Sequence, residues 1–346
     1  MTQYLSLRRN CSKMNILRWL LSTQLKPSQK QNENSGFTLI ELLVGMLIAF
    51  LVITPLLGFM ISILNTDGQE QAKANSEQEI KAALDYITRD LQQAIYIYDA
   101  TGIACLSGTV DATNTPSTCP NASTNQLPSP TGGVPVLVFW KRELVSQAIT
   151  IGTQKDDTFV YSLVAYYLIK DTNTNWSQAA RIARWEIKDG VQNTAATEGA
   201  CGAGFTTEKY LPCPDKGFKP FDLSQKGVTL QAKMNSWTGG GSYDQVPVVL
   251  MDFIDQTTIA QGAPAGTCSS NFIQVPVAAT SVRTGFYACI NSVSANNRSA
   301  AEIYLRGNAQ ARLIQDETKV RYAQSKSSYF PSSNIKVQGS SFIFTK

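Results

Sequence analysis

The sequence predicts an α+β protein in which one long N-terminal helix, membrane-spanning in its first half and amphipathic in its second, packs on an antiparallel β-rich globular head. Three observations predict it. Residues 37–64 form an apolar run whose single charge is Glu41. Residues 75–95 then place apolar side chains at helical spacing, and beyond residue 100 short β-branched and aromatic runs alternate with segments rich in Ser, Thr, Asn, Pro and Gly. The chain accordingly divides into a positive leader (1–36), a membrane helix (37–64), its amphipathic continuation (65–98) and the head (99–346).

As a helix, the 28 residues of the apolar run extend about 42 Å, against an apolar bilayer core of roughly 30 Å. The run is too long for an ordinary secretory signal, whose apolar core is about 7–15 residues. Pro55 and Gly58 interrupt it; proline removes one helical hydrogen bond and marks a place where the helix bends or locally opens. Ahead of the run, Arg8, Arg9, Lys13, Arg18, Lys26 and Lys30 stand against Glu33 alone, a net of +5, and the rest of the chain carries −1 of the total +4. The positive side stays in the cytoplasm, so a single-pass inner-membrane anchor with its head outside the cytoplasm is expected. The nearly neutral head offers no basic stripe for nucleic acid. Within the membrane a charge costs about 2.5–3.5 kcal/mol near the bilayer centre and less near the interface, where Glu41 would lie. A partner would lower that cost further.

In the continuation, Ile80, Leu84, Ile87, Leu91 and Ile95 recur at steps of four, three, four and four, one apolar stripe on a helix that should pack on a sheet. Glu77 with Lys81 and Asp85 with Arg89 are acid-first pairs that support such a helix. Residues 109–133 then read as an exposed loop, and strands are expected at 134–140, 159–169, 181–188, 246–254, 285–290, 301–305 and 340–345. In "RIARWEIK", Ala183, Trp185 and Ile187 alternate with Arg184, Glu186 and Lys188, the pattern of a half-buried strand. "KMNSWTGGGSYDQ" at 233–245 reads as a flexible loop and "NAQARLIQDE" at 308–317 as a short late helix.

Of seven cysteines, Cys11 precedes the apolar run and six follow it: Cys105, Cys119, Cys201, Cys213, Cys268 and Cys289. An oxidising compartment permits three disulfides, and six cysteines allow 15 connectivities. Short loops favour the neighbouring pairs, Cys105 with Cys119, Cys201 with Cys213 and Cys268 with Cys289, although sequence alone does not select them. The chain has no histidine, which excludes Ser-His-Asp and Cys-His catalysis and any His-bearing metal site. Asp156, Asp157, Asp252 and Asp255 lack the spacing of a calcium loop or a glycosidase pair, and the glycines at 239–241 read as a loop. No enzyme activity, cofactor or metal is expected. Trp176 and Trp237 are the aromatic candidates for stacking on a sugar, with a structural role for each as the alternative.

"SGFTLIELLVGMLI", residues 35–48, closely resembles the cleavage and methylation motif of type IV prepilins. The resemblance implies cutting by a prepilin peptidase between Gly36 and Phe37, and methylation of the new Phe37 amine. It further implies that Glu41 meets the amine of a neighbouring subunit, that Pro55 lies where the helix bends during assembly, and that the fold is pilin-like. "ALDYITRDLQQA" at 83–94 is similar to the stretch after the membrane helix in minor pilins of the W type and J-type pseudopilins of type II secretion. "GFYACINS" at 285–292 and "AEIYLRGNAQAR" at 301–312 resemble the C-type pseudopilin of cyanobacterial hormogonium polysaccharide secretion. The partners implied are prepilin peptidase, other major and minor pilins or pseudopilins through the N-terminal helix, the inner-membrane assembly platform and the exported polysaccharide. The role implied is a minor subunit, in the membrane and then in a pilus or pseudopilus, that supports polysaccharide export and gliding. The 36-residue leader is long for a prepilin; a start at Met14 would leave 23 residues and remove Cys11. A carbohydrate-binding module on a pilin stem is the alternative, and a membrane-tethered hydrolase the third reading.

Overall fold

The computed structural model describes residues 36–110, 119, 124–202, 205–224, 229–292 and 298–339. The leader up to residue 35, with Cys11 and Met14, and the strand expected at 340–345 lie outside them. A single helix, α1 (Leu39–Gln92), runs through the apolar and the amphipathic stretches, and the chain divides into two units between Ser62 and Ile63.

In the first unit every described residue is exposed. Pro55 is accommodated within α1, and the Thr54 hydroxyl donates to the Phe50 carbonyl at 2.8 Å. The helix is long and apolar enough to cross a membrane by length and composition.

The second unit is built on the stripe. Ile80, Ala83, Leu84, Ile87 and Leu91 are buried and enter one core with the strands. The helix ends at Gln92 rather than running to residue 98, because Ala94–Ile97 leaves it as strand β1. There Tyr96 faces Trp140 and Ile97 faces Phe139 across a ladder, so Ile95 belongs to the strand and not to the helical stripe. Neither Glu77 with Lys81 nor Asp85 with Arg89 closes an ion pair among the described residues; Glu70 and Lys73 do, at 2.8 Å.

A helix the sequence reading did not expect, α2 (Ala100–Ser107), follows β1. It is capped by Asp99, whose carboxylate accepts from the Gly102 amide at 2.8 Å, and stopped by Gly108 at φ 64°. Strands β2 (Gly133–Ile151), β3 (Gln154–Ile169), β4 (Ala180–Lys188) and β5 (Val248–Ile254) complete an antiparallel five-stranded sheet in the order β1-β2-β3-β4-β5. The β2–β3 hairpin reaches well beyond the expected strands, and its tip is exposed and polar. Strands β6 (Ile273–Val275), β7 (Phe286–Asn291), β8 (Ala300–Arg306) and β9 (Ser332–Gln338) form a second antiparallel sheet. A bridge between Ile254 and Gly307 and an ion pair between Asp255 and Arg306 at 2.8 Å join the two sheets. Strands β1, β6 and β9 escape sequence reading: β6 is three residues long and β9, "SSNIKVQ", is largely polar.

Two further expectations change. The segment 233–245 is packed rather than free: it begins with the end of helix α3 (Leu230–Asn235), Trp237 is buried 5.5 Å from Trp140, and the Tyr243 hydroxyl donates to the Gln126 carbonyl at 2.7 Å. "NAQARLIQDE" yields one 3₁₀ turn, Ala309–Arg312, capped by Asn308. Arg312 of this turn donates to Ser76 at 3.0 Å and pairs with Glu79, tying α1 to the second sheet.

The last turn of α1 is tied to the first sheet by charge. Asp90 receives Arg184 Nε at 2.7 Å, Lys141 Nζ at 3.1 Å and the Tyr166 hydroxyl at 2.7 Å. Glu186 takes Lys141 at 2.8 Å and Arg184 at 2.9 Å, so both cations are shared. Burial alone would raise the Asp90 carboxyl, but Arg184, followed by Lys141 and Tyr166, holds it below its ordinary 3.8. Burial would lower the Lys141 ammonium, and Asp90 with Glu186 raises it above 10.5 instead. A depressed carboxyl contributes stability that is fully present above its unfolded value and is lost as pH falls through the folded one. The raised ammonium contributes below 10.5 and loses its contribution as pH rises through the folded value. Asp90→Ala strands two half-satisfied cations in the core, so we expect a loss of about 3–5 kcal/mol in urea unfolding at pH 7, with a weaker fall in stability below pH 4 than in the parent. Parental stability would show that the cluster does not hold the helix.

Candidate processing and assembly site

Gly36, Phe37 and Thr38 lead directly into α1, and Glu41 lies in its first turn. Thr38 starts the helix. Its carbonyl accepts from the amides of Glu41 and Leu42 at 3.1 and 3.2 Å, and its hydroxyl accepts from the Glu41 amide at 3.4 Å. Thr-x-x-Glu is the spacing of a capping box, in which the hydroxyl meets the third amide and a glutamate there complements the positive helix end. Sequence reasoning assigned Glu41 a partner and missed Thr38, although the three-residue spacing was its signal.

A side chain built on Gly36 would meet nothing within 4 Å. The fold therefore sets no size limit at this position. The same is true of Gly45 and Gly58 in the helix, where small residues allow another helix to come close. Phe37 is 81% exposed, and every large apolar side chain from there to Leu64 is also exposed. Among the described residues no cation lies within ion-pair reach of the Glu41 carboxylate. Pro55 sits 14 residues farther along, about 21 Å at helical rise.

The six distal cysteines lie in the second unit as three disulfides: Cys105–Cys119 with Cα atoms 5.3 Å apart, and Cys201–Cys213 and Cys268–Cys289 with 5.5 Å. The four aspartates singled out in sequence do not converge. Asp157, in the β2–β3 hairpin, accepts from the Gln147 amide at 2.8 Å, and Asp156 lies beside it in the same exposed stretch. Asp252 holds the Ser177 amide and hydroxyl at 2.9 and 2.7 Å, and Asp255 is buried against Arg306. Trp237 is buried and has no face to offer a sugar, whereas Trp176 is 40% exposed and lies near Arg181. Asp90 was also missed. It occupies the core face of α1 three residues after Ile87 and next to Leu91, a carboxylate on an apolar stripe, which is the available signal for a buried ion cluster.

Removing an N-cap hydroxyl costs about 1 kcal/mol. Thr38→Val is therefore expected to speed hydrogen exchange at the Glu41 amide about fivefold in micelles, with exchange at residues 56–62 unchanged. Equal exchange in parent and variant would mean that Thr38 does not cap the helix.

The family described as "Prokaryotic N-terminal methylation motif" matches residues 31–57, which include Gly36, Phe37, Glu41 and Pro55. Comparison with curated proteins and with solved structures finds no match. The motif together with one helix whose apolar first half is exposed and an antiparallel β-rich head supports a prepilin-type protein, processed by prepilin peptidase and assembled with other pilins.

Proposed function

We propose that this chain is a minor pilin or pseudopilin of a type IV pilus-like or type II secretion-like machine. The observation that carries the reading is an apolar helical segment, 39–64, with no apolar partner among the described residues, entered through a glycine on which the described fold places no demand. Exposed apolar surface on this scale requires lipid before assembly and neighbouring helices after it. In this reading the peptidase cuts between Gly36 and Phe37 on the cytoplasmic side and methylates Phe37. The head lies outside the cytoplasm, where the three disulfides are stable. Glu41 meets the methylated amine of an adjacent subunit, and Pro55 gives the helix its point of adjustment. The resemblance of residues 285–292 and 301–312 to the C-type pseudopilin supports a role in polysaccharide export and gliding. The head then acts as a structural element of the machine rather than as a catalyst.

Two measurements test the reading. The native N-terminus should be methylated Phe37 by mass spectrometry, and Gly36→Ile should leave the leader attached; a native terminus elsewhere, or normal cutting of the variant, would refute the processing site. Glu41→Ala and Glu41→Gln should both be inserted and cut yet be depleted about tenfold or more from sheared filaments relative to their membrane level. An unpaired charge in a low-dielectric bundle is costly, and Gln preserves size but not charge. Parental incorporation of both variants would make the carboxylate a bystander to assembly.

A further inference from the structure

The second unit contains a cavity of about 390 Å³ to which α1 contributes no lining residue, within the roughly 300–1,000 Å³ of small-ligand pockets. Its walls are firmly held. The Cys201–Cys213 disulfide closes the segment that bears Phe205 and Tyr210, and those two rings stand edge to face 5.5 Å apart. Beneath them Phe218 is buried and packs edge to face on Trp140, 6.0 Å away, so the base of the cavity belongs to the core. Where the walls meet, the Gly240 amide donates to the Gly217 carbonyl at 2.8 Å, and a side chain on Gly240 would press to 2.8 Å from the Gly217 Cα. Gly240 of "TGGGS" is thus explained by a close backbone approach, and Gly241 by its φ of +75°.

The polar groups of the cavity are the informative part. Asp189 spends one carboxylate oxygen on the Gly190 amide at 2.8 Å, and among the described residues no cation pairs with it. Burial raises its carboxyl above the ordinary 3.8. Lys219 is exposed and, among the described residues, its ammonium has no ion-pair or hydrogen-bond partner, whereas Lys216 is engaged with Asp244 at 3.1 Å. Residues with a spare acceptor and a spare donor therefore line the same cavity as two aromatic rings. An apolar ligand would desolvate both polar groups without replacing their water, and a small anion would suit Lys219 but face Asp189. A ring with C–H groups on its faces and hydroxyls around its rim satisfies all of them at once.

We infer that the cavity lined by Asp189, Phe205, Tyr210, Lys219 and Ser242 is a binding site for one pyranose residue of a saccharide. The ring's C–H face lies against the aromatic wall, and its hydroxyls donate to Asp189 and accept from Lys219. Ser242 supplies a further hydroxyl at the rim. The inference is independent of the assembly reading, since it uses none of the residues of α1.

The test is ligand-observed saturation-transfer NMR on the mature full chain in a detergent without a sugar headgroup. The probes are methyl β-glucopyranoside and methyl β-glucuronoside, with cyclohexanol and inorganic phosphate as the non-saccharide controls. Saturation of pyranoside ring protons is expected, weakened at least tenfold in affinity by Phe205→Ala and by Lys219→Ala. Lys219 is exposed, so its variant reports on binding even if Phe205→Ala loosens the disulfide-closed segment. No response from either pyranoside, an equal response from cyclohexanol, binding of phosphate alone, or parental affinity in both variants would each overturn the site. Filament incorporation of the two variants should equal that of the parent, which separates failure of this site from failure of assembly.

Discussion

The buried carboxylate of Asp90 is the constraint on which the second unit is arranged. A helix whose apolar stripe meets a sheet can slide or rotate with little change in buried area, because hydrophobic contact is not directional. Asp90 removes that freedom: Lys141, Tyr166 and Arg184 reach it from three successive strands, β2, β3 and β4. A buried ion cluster of this kind adds little net stability compared with an apolar replacement, but loss of one member is severe. Its contribution here is register. It fixes which turn of α1 lies over which residues of the sheet, and Arg312 with Ser76 and Glu79 fixes a second point nearer the helix start.

The same helix carries two opposite chemistries. From Ile80 to Leu91 its apolar side chains are covered by strands of the same chain. From Phe37 to Leu64 they are covered by nothing among the described residues. The first arrangement makes a folded head, and the second makes a segment that is stable only in lipid or among other helices. The charges follow the same division. Asp90 has its counter-charges within the chain, whereas Glu41 has none among the described residues and must be satisfied by the helix end, by water or by another molecule.

What could be read from sequence follows from the range of the interactions. The apolar run, the stripe through Ile80, Leu84, Ile87 and Leu91, and the alternation in "RIARWEIK" are local periodicities, and local periodicity survives without a structure. The end of α1 was misplaced because Ile95 continues the helical spacing by chance, and only the ladder to Trp140 and Phe139 recruits residues 94–97 into a strand. Strand β9 was invisible because a partly exposed, polar strand has no apolar signal of its own; its pairing with β8 makes it one. The site was legible in the same uneven way. Gly36, Phe37 and Glu41 form a contiguous motif, whereas the cavity around Asp189 draws on residues from 189 to 242, which only folding brings together. Trp176 and Trp237 were the sugar-stacking candidates in sequence, each with a structural role as the alternative; Trp237 is a core residue in the fold and Trp176 lies outside this cavity, while Phe205 and Tyr210 carried no signal.

Glycine separates the demands of the fold from those of a partner. At Gly217 the backbone has φ +83°, and a side chain would collide with the Tyr243 ring at 2.6 Å; the chain itself requires glycine there. Gly36 stands in open space among the described residues, so the described fold makes no demand for glycine there, and the processing proposed above would supply one. Glu41 presents the same question in electrostatic form. In the first turn, after a threonine cap, a carboxylate is favoured by the positive helix end in any protein. That local benefit, of order 0.3–1 kcal/mol, is smaller than the cost of placing a charge in hydrocarbon. In the assembly proposed above, a cation from a neighbouring subunit would offset the remainder of that cost. A helix cap accounts for where the glutamate sits, and the partner proposed above would account for why a charged residue is kept there.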